Sequence, residues 1–274
     1  VIEATSRGRL TRLFSETRRA GRAALIGYLV AGDPDLETTE AVITEVAGAG
    51  LDILELGIPY GDPLADGPTI AAAGQRALAA GTTLETSLEL VERLGHLVPI
   101  VLFSYLNPVY QFGVERFAER ASASGAWGAI IPDVTLEEID QVSAALHAHD
   151  LDFPLLIAPT TELERARRIA AASQGFVYVV SRLGVTGEGA SPDLNWLRAR
   201  LEQLRSLTDL PLAVGFGISS PAQVRQVAPW TDGIIVGSGL VSSYAEAQGS
   251  QAAQLAGGYV RTLAEALRKE PPQS

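Results

Sequence analysis

An α/β chain of eight parallel strands closed into a (βα)8 TIM barrel is predicted by three features of the sequence. Eight short apolar runs alternate with helical stretches. The runs are apolar on both faces, as strands covered on two sides are, and 274 residues is close to the roughly 250 that such a barrel takes. The expected arrangement is one domain over 1–274, with an extra N-terminal helix within 1–22, an extra short helix at the phosphate site and a flexible tail at 270–274. The rival is a doubly wound open sheet. That fold usually carries a GxGxxG fingerprint after its first strand, and the AGDPDLETTE found here is not one.

In chain order, SRGRLTRLFSETRRAGRAA interleaves Arg with apolar residues and reads as a surface helix. Its faint likeness to a transit sequence is opposed by Glu3, Glu16 and the direct run into a strand. The strand runs are ALIGYLVAG, LDILELGIP, PIVLFSYLNP, GAIIPD, FPLLIAP, FVYVVS, PLAVGFG and DGIIVGSG. Helix starts between them carry capping-box spacing: Thr82 with Glu85, Thr135 with Glu138, Thr161 with Glu164 and Ser220 with Gln223, the last with Pro221 in the first helical position. Thr82 opens a second helix in the long segment between strands two and three. The final helix is expected over Gln251 to Lys269, ended by PPQS.

Composition narrows the chemistry. A net charge of -11 leaves too few basic residues to build a face for nucleic acid or an anionic membrane. No apolar run approaches the roughly 20 residues of a membrane span, and 47% hydrophobic with 19% charged residues is ordinary for a soluble enzyme. The absence of Cys excludes a disulfide scaffold, thiolate catalysis and a Cys-ligated metal, and fits a cytoplasmic location. Lys269 is the only lysine and lies in the tail, so a Schiff-base mechanism is not expected. His96, His147 and His149 are not spaced for a metal or a triad. Carboxylates, tyrosines, hydroxyls and backbone amides remain for catalysis.

The segment LELGIPYGDPLADGPTI, Leu54 to Ile70, holds the strongest candidate. The alternation of a strand points Glu55 wherever Ile53 points, with Leu54 and Leu56 on the other face. Inside a barrel, Glu55 is a buried acid whose raised pKa suits proton transfer near neutral pH. On an edge strand it faces water. Both readings stand at this level.

Glycine-rich ends after strands six, seven and eight, SRLGVTGEGASPDL, GFGISSP and GSGLVSSY, occupy the positions that barrels use for phosphate. Gly187, Gly217, Gly237 and Ser238 are the expected donors. Arg182 is the one cation among them, so a single terminal phosphate of a small metabolite suits the loops better than a triphosphate. Tyr28, Phe103, Tyr105 and Tyr178, on strands one, three and six, could sandwich a flat ring or simply fill the core.

These motifs, in this order and spacing, resemble the tryptophan synthase alpha subunit family from about Leu13 to Leu267. The resemblance implies retro-aldol cleavage of indole-3-glycerol phosphate to indole and glyceraldehyde 3-phosphate, with Glu55 as the catalytic glutamate and Asp66 as the catalytic aspartate. It implies Tyr105 and Tyr178 as site tyrosines, Tyr28 where phenylalanine is common, and Phe216 beside Gly217. Thr186 matches a loop threonine that helps to position the aspartate. It further implies no cofactor on this chain, pyridoxal phosphate on a partner beta subunit, and an alpha2beta2 complex. Pro59, Asp62, Asn107 and Pro108 match docking positions, and Tyr60, Leu64, Tyr110 and Phe112 are consistent with an interface or with a self-packed loop.

Two departures from the family pattern stand out. The lid carries Glu188 and Gly189, which predicts weaker or differently controlled closure, and Thr135 replaces a frequent proline. Other phosphate-binding barrel enzymes generally need a lysine or a cysteine that is not available here. A non-catalytic activator of a beta subunit would be expected to have lost the Glu55–Asp66 pair.

Overall fold

The computed structural model describes residues 8–181, 193–215 and 217–268. Its strands are β1 (Ala24–Val30), β2 (Ile53–Gly57), β3 (Ile100–Phe103), β4 (Gly128–Ile130), β5 (Leu155–Ile157), β6 (Val177–Val180), β7 (Leu212–Gly215) and β8 (Gly233–Val236). All pair in parallel, in the order β4-β3-β2-β1-β8-β7-β6-β5. A bridge between Gly128 and Asp152, with Ala129 N–H donating to the Asp152 carbonyl at 2.9 Å, joins the two ends of that order. The predicted barrel is therefore present, and each of its strands falls within its predicted run.

Around it, in chain order, lie α1 (Arg9–Arg19), α2 (Leu36–Gly48), α3 (Pro68–Ala79), α4 (Leu84–Leu94), α5 (Leu106–Phe112), α6 (Val114–Ala123), α7 (Ile139–Ala148), α8 (Leu163–Ala172), α9 (Leu194–Arg205), α10 (Pro221–Val227), α11 (Ser238–Tyr244) and α12 (Gly249–Leu267). The short α11 is the extra helix expected after the last strand.

Strand alternation separates two cores. Ala24, Ile26, Tyr28 and Val30 of β1 and Ile53 of β2 turn into the barrel, whereas Leu25, Leu29, Leu54 and Leu56 pack outward beneath the helices. The inner core also takes Leu10 and Phe14 of α1. This corrects the reading of α1 as a surface helix: Phe14 is 1% exposed and meets Phe176 at 5.4 Å between ring centroids. Its arginines occupy the opposite face, where Arg18 pairs with Asp232 at 2.6 Å and Arg9 lies over Trp127 at 5.3 Å. Asp232 and Asp152 both lie just before strands, so α1 closes the end at which the strands begin. Burying Phe14 and Leu10 there stabilises the fold by about 1.5–3 kcal/mol each.

Helix starts are partly as predicted. Ser220 and Gln223 form a capping box, with Pro221 opening α10. The box at α4 is Thr83 with Thr86, one residue later than expected; Glu85 instead meets Arg120 at 2.6 Å. Thr135 bonds Glu138 at 2.8 Å, but in a turn before α7. Thr161 caps its own turn, accepting from Ala158 N–H at 3.1 Å, while Glu162 stands at the N-cap of α8. In the last two cases a local side-chain bond to a turn competes with the helix for the hydroxyl. The final helix starts two residues earlier than expected, at Gly249, and ends at Leu267.

Candidate active site

Glu55 occupies the middle of β2, paired in register with Tyr28 of β1 and Val101 of β3. Its neighbours on the same face, Ile53 and Tyr28, line the barrel, so the side chain is enclosed and 1% exposed. The edge-strand reading is thereby overturned. Neither carboxyl oxygen has a hydrogen-bond partner among the described residues. Burial pushes its pKa up to about 8, so Glu55 holds a proton at neutral pH.

Asp66 lies in the loop between β2 and α3 and is half-buried. Burial raises its pKa, and a hydrogen bond from the Tyr105 hydroxyl opposes that rise. The same hydroxyl accepts from Ala65 N–H at 3.0 Å. Tyr105 thus holds two successive residues of the Asp66 loop, a role that the sequence, which allows it as ring wall or core filler, does not signal. It stands just beyond β3, at the N-cap of α5, on the same alternation as Phe103.

Tyr28, Phe103 and Tyr178 share the inner core of the barrel. Phe103 meets Tyr28 edge-on, with centroids 5.4 Å apart and planes at 87°. Tyr60 lies 5.5 Å from Tyr105. Burial raises the hydroxyls of Tyr28 and Tyr178 well above their ordinary range; the Asp66 carboxylate adds to the rise at Tyr28, and Glu55, once ionised, adds to both. Tyr28 is the register partner of Glu55 on the neighbouring strand, and Tyr178 shares the barrel interior with Tyr28. Each ring is seated by a glycine on the next strand: a Cβ at Gly57 would fall 2.2 Å from the Tyr28 hydroxyl, and one at Gly215 would fall 2.4 Å from that of Tyr178.

The described part of the glycine cradle adjoins this wall. Gly237 precedes α11 and Ser238 opens it. A Cβ at Gly237 would lie 3.6 Å from both Tyr28 Cβ and Ile70 Cδ1, so this backbone rests on the aromatic pocket. Gly217 takes φ 88°, a conformation that favours glycine. Arg182, Thr186, Gly187, Glu188, Gly189 and Phe216 lie outside the described residues.

Of the expected docking residues, Asp62 and Asn107 are exposed, Pro108 is half-buried and Pro59 is buried within the chain. Leu64 at 72% and Tyr110 at 46% exposure project outward, whereas Tyr60 and Phe112 are half-buried. Asn107 Nδ2 donates to the Tyr60 hydroxyl at 3.1 Å, which ties the two loops together. Among the described residues no cluster of three or more His, Asp or Glu side chains is placed to hold a metal. None of the described helices is long and apolar enough to cross a membrane.

A buried carboxyl with no hydrogen-bond partner among the described residues costs stability rather than adding to it. A parallel (βα)8 barrel that keeps such a group in its interior, among inward-facing aromatic side chains, is of the enzyme class. The chain belongs to the tryptophan synthase alpha chain family, whose sequence profile matches residues 14–268. It is 47% identical over 257 residues to the tryptophan synthase alpha chain of a Picosynechococcus species, covering 93% of this chain and 97% of that one. It is 45% identical to the alpha chain of Gloeobacter violaceus, covering 98% of each. Among solved structures, it is similar to a chain of Mycobacterium tuberculosis tryptophan synthase, with a TM-score of 0.90, 37% identity and coverage of 96% of this chain and 100% of that one. A tryptophan synthase subunit alpha from Legionella pneumophila matches with a TM-score of 0.84 and 33% identity, over 95% of this chain and 98% of that one.

Proposed function

We propose that Glu55 and Asp66 divide between them the chemistry of the alpha reaction. The chain is a carbon–carbon lyase of tryptophan biosynthesis, cleaving indole-3-glycerol phosphate to indole and glyceraldehyde 3-phosphate. Protonated Glu55 gives its proton to indole C3, which turns the ring into an indolenine with a positive nitrogen. The Asp66 carboxylate accepts the ring N–H and stabilises that charge. Glu55, now ionised, removes the proton of the C3' hydroxyl; the C3–C3' bond breaks, its electrons return to the ring, and an aldehyde forms. Glu55 ends as it began, so the protons balance. Two carboxyls of different environment take different roles.

The observation that carries this reading is the Glu55 carboxyl, enclosed, unpartnered and raised to a pKa of about 8. Tyr28, Phe103, Tyr105, Tyr178 and Phe216 would wall the indole. Gly187, Gly217, Gly237 and Ser238 would hold the phosphate, and Thr186 would steady Asp66. The chain itself needs no cofactor for these steps. Its partner is a tryptophan synthase beta subunit carrying pyridoxal phosphate, in an alpha2beta2 complex. The outward Leu64 and Tyr110, with exposed Asp62 and Asn107 in the same two loops, support a docking face there, to which the buried Pro59 and half-buried Pro108 would also belong. The cytoplasm is the compartment in which this chemistry would run.

The test is to incubate the purified chain with indole-3-glycerol phosphate, with and without a cognate beta subunit, and to measure indole. Release of indole, faster with the partner, is the expected outcome; none under either condition would sink the reading.

A further inference from the structure

Asp33 follows β1, and Arg76 lies on α3, the helix into which the Asp66 loop runs. They form a fork, with Arg76 Nε donating to Asp33 Oδ1 at 2.7 Å and Nη2 to Oδ2 at 3.0 Å. The Asp33 side chain has 0% exposure. Nothing in the reaction described above uses either residue.

The pair stands where three elements meet. Ile70, Ala73 and Ala77 of α3 and Val241 of α11 pack in the inner core with Tyr28 and Val30 of β1. Tyr244, the last residue of α11, is almost fully buried, and its hydroxyl feels the charges of both Asp33 and Arg76. α3 begins directly after Asp66, whose loop ends at the N-cap Gly67, and α11 begins at Ser238 in the glycine cradle. Apolar contacts through alanine have little relief and resist sliding weakly. A bidentate guanidinium–carboxylate pair is directional and fixes an angle.

We propose that the Asp33–Arg76 pair is a positioning device that sets the separation between Asp66 and the phosphate end of the site by locking α3 onto the end of β1, against which α11 also packs. The proposal rests on the alpha reaction assigned above. Its signature is selective. A ligand gripping only one end of the site, indole or glycerol 3-phosphate, binds the same whether or not the joint is tight. Indole-3-glycerol phosphate spans both ends, and its reaction suffers when they drift apart, because displacement of a reacting group by about 1 Å can cost about 100-fold in rate.

The experiment compares Arg76→Lys, which keeps the charge and loses the fork, with Arg76→Gln, and with Arg93→Gln as a control that breaks the exposed pair with Glu40. Turnover of indole-3-glycerol phosphate and the separate affinities of indole and glycerol 3-phosphate are measured at matched thermal stability. The expected result is a fall in kcat of about 5-fold for the lysine variant and about 50-fold for the glutamine variant. Both fragment affinities should stay within about 3-fold, and the control should match wild type. Wild-type turnover in either folded Arg76 variant would overturn the proposal, as would fragment affinities falling in parallel with rate. Loss of the fold in Arg76→Lys would make the pair a stability element and overturn it equally. A wild-type chain that releases no indole would overturn the alpha-reaction reading as well, which separates the two failures.

Discussion

At the end where the strands begin, Asp152 is buried yet occupied: its Oδ2 accepts Leu10 N–H at 3.3 Å, and its backbone closes the barrel against Gly128 and Ala129. Midway along β2, inside the barrel, Glu55 is buried to a greater degree and has no partner among the described residues. Burial raises both carboxyls, Asp152 to about 6 and Glu55 to about 8. One end uses the acid to seat a helix that has only Gly8 at its N-cap, with no side-chain cap. The barrel interior leaves the acid free to exchange a proton. The closed end is built for stability and the interior tolerates a destabilising group, a division common where activity requires it.

Glu55→Gln should break the interior site most. Removing the proton carrier is expected to lower indole release by about 1000-fold or more, while glycerol 3-phosphate still binds. The same change should stabilise the protein at alkaline pH. The folded-state pKa of Glu55 lies above its ordinary 4.5, so the native state loses stability as pH rises from about 4.5 to about 8, where only the unfolded chain is ionised. The glutamine variant escapes that loss, worth up to a few kcal/mol at about 1.4 kcal/mol per pH unit. Thermal melts of both proteins at pH 5 and pH 8 check this; an equal gap at the two pH values would contradict it.

Phe14→Ala strikes the closed end. It empties the plug against Phe176 and should cost about 3–4 kcal/mol by denaturant unfolding, with turnover of the folded fraction nearly unchanged. A larger loss of kcat than of stability would show that the closed end and the interior site are coupled.

Asp152→Asn is the mildest. The amide oxygen can still accept from Leu10 N–H, so stability at pH 7 should change by about 1 kcal/mol or less. The fall in stability that the Asp152 carboxyl contributes between about pH 4 and 6, as the unfolded chain ionises first, should disappear. A pH profile identical to wild type would remove Asp152 from that transition.

The strands and the shared aim of Glu55 and Ile53 were legible because both follow from a period of two and from bounding glycines and prolines, which are local properties, whereas the inward direction of that face is set by closure of the sheet. The plugging face of α1 was not. Its Leu10 and Phe14 sit among arginines, and a surface helix with an apolar stripe reads the same whether that stripe covers a barrel end or a flank. Thr82 was misread for a similar reason: two adjacent threonines offer the same cap, and burial of one against Gly32 decides between them. The hydrogen bond from Tyr105 to Asp66 and the fork of Arg76 on Asp33 link residues far apart in the chain, so no spacing rule reaches them. The nearest sequence signal was that Asp33 and Asp66 each stand in a loop directly after a strand run, at the barrel end where sites form.

The seating of Tyr28 and Tyr178 against Gly57 and Gly215 bears on redesign for other ring systems. The tyrosine hydroxyls fill space that side chains on the neighbouring strands would otherwise occupy, so the width of the pocket is defined by main chain. A methyl group at Gly57 would force the Tyr28 ring out of its present seat. Admitting a bulkier heterocycle would therefore call for trimming the aromatic rings themselves, with Glu55 left in place between them.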